Sequence, residues 1–122
     1  MISDKVLYLV KDSHFGLRPP LMLAIGVEVH KDWVGFHDTN RGHQFFGELV
    51  KETTDGFVWH RVEDTLEDGR RDFGLVEFRA LTLEEYNKRV RPYLLGPAPE
   101  FSSTEELYEF YRRQFGRRGY HY

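Results

Sequence analysis

Cysteine is absent from the chain, which removes disulfides, cysteine-ligated zinc and thiol catalysis together. Several other signatures are missing too. No Gly-x-Ser-x-Gly occurs, and the serines Ser3, Ser13, Ser102 and Ser103 fall in loops or helix caps, so no nucleophile elbow is present. Neither Gly-x-Gly-x-x-Gly nor Gly-Lys-Ser/Thr is found, which leaves no phosphate-cradling loop. Apolar runs stop well short of a bilayer span, and Met1-Ile2-Ser3-Asp4-Lys5 lacks the positive-then-apolar pattern of a secretory signal. The expectation is a cytoplasmic protein with no membrane contact. No stretch recurs at a fixed period, so a solenoid is excluded.

Acidic residues are missing from one region in particular. All 20 lie before Phe110, against 13 Lys and Arg there, whereas the last thirteen residues hold four Arg and no acid. A basic, aromatic carboxyl terminus thus follows an acidic body.

Aromatic residues, by contrast, are plentiful: 16% of 122 residues, with 30% charged. That composition fits a single globular domain over residues 1–122 with a substantial core. The central pattern is a hairpin. Gln44 to Glu52 and Phe57 to Glu63 are rich in aromatic and β-branched residues and meet at Thr53-Thr54-Asp55-Gly56. A two-residue Asp55-Gly56 turn would set Glu48 against Glu63, which is unfavourable. A four-residue loop with Gly56 at positive φ instead pairs Val50 with Trp59, Glu48 with Arg61 and Glu52 with Phe57. This register places Phe46, Val50, Phe57 and Trp59 on one face, and Leu49, Val58, His60 and Val62 on the other.

Around the hairpin, Lys5 to Val10 reads as a buried strand. Leu21 to His30 alternates, with Leu23, Ile25, Val27 and Val29 opposed to Ala24, Gly26 and Glu28, and Trp33 to His37 makes a short third strand. Asp64 to Asp72 reads as a charged hairpin loop, and Phe73 to Ala80 as a sixth strand. Thr82-Leu83-Glu84-Glu85 and Ser103-Thr104-Glu105-Glu106 are capping boxes. They predict helices near 82–91, ended by Pro92, and 104–115, ended by Gly116, with a stripe of Leu107, Phe110, Tyr111 and Phe115. The fold class is α+β: an antiparallel sheet of about six strands, strongly coiled or closed as a small SH3-like barrel, with two carboxyl-terminal helices across an open end and a tail at 116–122.

Candidate sites follow from residue type. His30, His37 and His43 are close in sequence, but their spacing matches no zinc signature, so no metal and no cofactor is expected. His60 lies among Glu48, Glu52, Glu63 and Asp64, an arrangement open to acid–base chemistry in a small hydrolase or isomerase; the Glu48–Arg61 pairing favours a plain ion pair instead. Arg112, Arg113, Arg117, Arg118 and Tyr120 interleave guanidiniums with aromatics, a pattern that binds nucleic acid or docks on an acidic protein surface. Trp33, Phe36, Phe15 and Tyr93 exceed what the core faces require, and with Trp59 and His60 they suggest a contact surface. The leading expectation is a protein-binding or regulatory module able to self-associate, with nucleic-acid binding and the His60 enzyme as alternatives.

Overall fold

In the computed structural model, residues 2–11, 23–39, 44–65, 69–94 and 99–117 are described. Six antiparallel strands, β1 (Tyr8–Lys11), β2 (Leu23–Val29), β3 (Val34–Asp38), β4 (Gln44–Glu52), β5 (Gly56–Thr65) and β6 (Gly69–Ala80), pair in chain order, and β6 returns to β1 to close a barrel. A helical region follows. Its first part changes pitch, from α1 (Leu83–Glu85) through a wide turn at Tyr86–Val90 to a tight 3₁₀ turn at Arg91–Tyr93. Pro92 has no N–H to continue an α-helical ladder, and the segment changes pitch around it. The last element, α2, spans Thr104–Arg117.

The barrel interior is filled by side chains. Trp59, Phe36, Phe57 and Phe78 are fully buried there with Tyr8, Val10, Ala24, Val27, Val34 and Val76. Phe57 stacks on Phe78 at 4.4 Å, while Trp59 meets Phe36 and Phe78 edge-on at 5.3 and 5.6 Å. Such arrangements add about 0.5–1.5 kcal/mol per pair beyond burial. The indole Nε1–H of Trp59 donates to the Val34 carbonyl at 3.1 Å, so the largest core side chain leaves no polar atom unsatisfied.

A second core lies outside the barrel wall. Leu7, Leu9, Leu23 and Ile25 face outward and are covered by Leu81, Tyr86, Val90 and Leu107 of the helical region. The helices therefore lie along the β1–β2 wall, not across an open end, because this stretch of wall is apolar on both sides. Tyr108 Oη–H donates to the Leu81 carbonyl at 2.8 Å, and Leu83 N–H donates to Thr104 Oγ1 at 3.1 Å, tying α2 to the end of β6 and to α1. Both predicted caps form: Thr82 Oγ1 accepts from Glu85 N–H at 3.2 Å and Ser103 Oγ from Glu106 N–H at 3.1 Å. The Glu85 carboxylate pairs with Arg79, and Arg89 stands 3.6 Å away. Helix α2 runs through Gly116 to Arg117, beyond the expected stop.

Several expected registers differ, each for a local reason. Strand β2 has an irregularity between Ile25 and Glu28, with Gly26 at φ 64°. One extra residue switches faces, so Val27 joins Ala24 inside and parts from Leu23 and Ile25. In the β4–β5 hairpin Glu52 faces Phe57 as expected, but a bulge at Val50 then sets Leu49 opposite Trp59, Glu48 opposite His60 and Gly47 opposite Arg61. Phe46 and Val50 are consequently exposed rather than in the core with Phe57 and Trp59. The expected Asp64–Asp72 loop is ladder on both sides of residues 66–68, which lie outside the described residues: Glu63 faces Arg71, Asp64 faces Arg70 and Thr65 faces Gly69. Opposite charges at facing positions favour that register.

Gly56 does not take positive φ. Its role is close approach, since a Cβ there would stand 1.8 Å from the Phe78 carbonyl oxygen, a backbone atom that cannot swing away. Gly56→Ala is expected to lower the unfolding free energy by about 2 kcal/mol or more, read by urea denaturation; an unchanged midpoint would contradict this packing.

Candidate functional site

Strands β2, β3 and β4 place Glu28, Gly35 and Phe46 in one row across the outside of the barrel, because Glu28 pairs with Gly35 and Gly35 with Phe46. The turn joining β2 to β3 is closed by His30 N–H donating to the Trp33 carbonyl at 2.8 Å. That closure brings the Trp33 ring down over Gly35, where any Cβ would lie 2.7 Å from the indole. Trp33 then meets Phe46 edge-on at 5.2 Å and stacks with His30 at 3.8 Å, while His30 Nε2 lies 3.3 Å from Glu28 Oε2. Only glycine at position 35 leaves room for the stack.

This aromatic group continues along β4. Glu48, two residues beyond Phe46, points outward beside His60, with Oε2 3.5 Å from Nδ1. Leu75 of β6 faces His60 and is 63% exposed, while Phe46 is 48% exposed. The outer face from the end of β2 and its turn across to β6 thus carries half-exposed apolar side chains interleaved with Glu28, Glu48, His30 and His60. Large apolar groups gathered on a surface mark contact regions.

The expected site residues separate into groups. Trp33 and His60 lie on this face. Phe36 and Trp59 are buried in the barrel and belong to the core, since their side chains alternate inward from Gly35 and His60. Arg112 and Arg113 are exposed on α2, and Arg113 reaches Glu109 at 2.6 Å, one turn back. Glu105, Glu106 and Glu109 on the same helix weaken its field as a polyanion site. Arg117 ends α2, while Arg118 and Tyr120, like Phe15 and His43, lie outside the described residues. Tyr93 is exposed after Pro92.

His30 and His37 do not face one another. His30 sits at the turn beside Trp33, whereas His37 pairs with Ile25 further down the ladder, and no group of three potential metal ligands exists among the described residues. His60 with Glu48 is a cross-strand pair on the outer surface of a closed barrel, His60 being about one quarter and Glu48 about half exposed. The register that makes this pair also replaces the expected Glu48–Arg61 facing.

Sequence reasoning missed Phe46 and the Gly35 floor. The signal was available in Gly47: its Cβ would fall 2.2 Å from the Trp59 ring, so a glycine beside a core tryptophan had to face inward, turning Phe46 out.

Where α2 reaches the barrel, the Phe115 ring lies 5.1 Å from His37, which is 2% exposed. Burial holds the His37 imidazole below the ordinary histidine value, opposed by the nearby Glu28 and Asp38 carboxylates. Comparison with family models, curated proteins and solved structures returns no match.

A depressed folded-state value makes the neutral ring part of the folded structure. The unfolded chain binds the proton first as pH falls through the ordinary value of about 6.5, so stability is full above it and declines below. Urea unfolding at about pH 7.5 and about pH 5.5 should show a larger loss for the native chain than for His37→Gln; equal losses would contradict the assignment.

Proposed function

We propose that the protein is a small binding or regulatory module that takes a protein partner on the outer face of β3 to β6, without cofactor. One observation carries this reading: Trp33 and Phe46 form an edge-on pair outside a barrel whose interior is already occupied by Trp59, Phe36, Phe57 and Phe78. Phe46 is exposed and Trp33 half-buried, and aromatic rings that the core does not use are the kind of group that dominates interface energetics.

The mode of contact also follows from the fold. Around Gly35 and Phe46 the backbone is already paired across β2, β3 and β4, so a partner there meets side chains. His60, Glu48 and Leu75 extend the aromatic centre with a polar and an apolar flank. Self-association through the same face is the simplest case of this function.

A photo-crosslinking residue at position 46 should form a covalent adduct whose second protein can be identified, or a dimer of the chain itself. Titration of that purified partner should then weaken at least about tenfold with Trp33→Ala or Phe46→Ala, while the urea midpoint stays near that of the native chain. Retained affinity in both variants, with loss on charge reversal of Arg112 and Arg113, would move the site to α2.

A further inference from the structure

We propose that the distal part of α2, from Tyr111 to Phe115, acts as a proton-released flap: it lies against the barrel while the His37 ring is neutral and lifts away when that ring takes up a proton. The device does not depend on what binds the outer face.

Its geometry is set by the β2–β3 ladder. Ile25 pairs with His37 there, so the imidazole stands at the border of the external core that Leu107 covers. At that border the Phe115 ring lies 5.1 Å from the imidazole, and His37 is almost entirely buried. An imidazolium in such a place has lost its water.

Helix α2 is held unevenly along its length. Its first half is capped by Ser103, bonded through Thr104 to Leu83 and through Tyr108 to the Leu81 carbonyl, and anchored by the fully buried Leu107. Beyond Tyr108 no described side chain of the helix is fully buried: Tyr111 meets Tyr86 edge-on at 6.5 Å, and Phe115 meets His37. Elements with few buried contacts open at lower cost than the core they rest on. The distal half can therefore detach while the first half stays fastened.

The charges around the ring decide the sign. Glu28 and Asp38 act on it from β2 and β3, β4 sets the neutral Gln44 opposite, and α2 brings the uncharged Phe115 while its cations Arg112 and Arg113 are exposed. The two carboxylates favour the imidazolium, yet burial outweighs them and holds the ring below the ordinary histidine value. Lifting Phe115 readmits water, so the open form binds the proton more tightly than the closed one. As pH falls through the ordinary value of about 6.5, the open form is protonated first, and docking that is complete above that pH weakens below it. The coupling is reciprocal: what the proton does to the helix end, the helix end does to the proton.

Fluorine NMR of the full chain carrying para-fluorophenylalanine at position 115 reads the docked and lifted positions, and the Hε1 resonance of His37 reads its titration. Between about pH 7.5 and about pH 5.5 the ratio of docked to lifted signal should fall about threefold or more while the amide resonances of the barrel strands stay folded. In His37→Gln the ratio should hold constant over that range. Phe115→Ala should shift the His37 midpoint upward toward the ordinary value, a result that decides the matter even where His37→Gln fails to fold. A fluorine signal that does not respond to pH, or a His37 midpoint unmoved by Phe115→Ala, overturns the flap. An equal response in His37→Gln overturns the role of His37, and loss of the strand resonances together with the fluorine signal shows the whole fold opening, which overturns a local release.

Discussion

The Trp59 side chain standing on Gly47 is the contact on which the architecture turns. Only a glycine permits the indole to lie against β4, and the Nε1–H reaches across that strand to the Val34 carbonyl of β3. Three consecutive strands are thus held in register by one side chain. The bulge at Val50 adjusts the remainder of β4 so that Glu52 can still face Phe57 at the hairpin end. Phe46 is turned outward as a direct result, and the neighbouring Gly35 accepts Trp33 on the outside much as Gly47 accepts Trp59 on the inside.

The same logic, two packed faces on one wall, explains the placement of the helices. Gly26 lets β2 change face within a few residues, so Ala24 and Val27 fill the barrel while Leu23 and Ile25 build the external core with Leu7 and Leu9. Tyr86, Val90 and Leu107 cover that core. The tyrosines at this junction are held well into the protonated form, with burial pushing Tyr108 up to about 12 and raising Tyr86 as well. Protonated phenols suit the structural bonds they make to the Leu81 and Pro99 carbonyls. Among the described residues the helices thus cover β1–β2, while Phe46, Leu49, Val50 and Leu75 are exposed on β4 and β6.

Much of this was legible in the residues. An unbroken apolar run for the first strand and strand-like patterning for the rest pointed to six strands, the capping boxes at Thr82 and Ser103 marked both helix starts, and the change of period near Leu81 separated sheet from helix. What escaped was where an alternating strand changes face, because a bulge is a property of two strands together. Leu23 to Val29 alternates without interruption on paper, and only the pairing with β3 shows that Gly26 breaks it. The Phe45-Phe46-Gly47 stretch offers an aromatic to each side, so its orientation depends on the partner across the ladder, here Trp59. Asp64 to Asp72 looked like a loop by charge, whereas Glu63 and Asp64 stand opposite Arg71 and Arg70 in the ladder of β5 and β6. On the outer face, Trp33 and His60 were legible as candidates from composition and position, while Phe46 was assigned to the wrong face together with Val50.

The central claim is that the aromatic residues of β4 and β5 divide between an inner core and the outer face proposed above for a partner. Hydroxyl-radical footprinting of the intact protein, read residue by residue by mass spectrometry, tests it directly. Phe46, Trp33 and Leu75 should be oxidised readily while Phe57, Trp59 and Phe78 are protected, and Phe46 should gain protection when a partner is bound. Protection of Phe46 together with Phe57 and Trp59 in the unliganded protein would contradict the account.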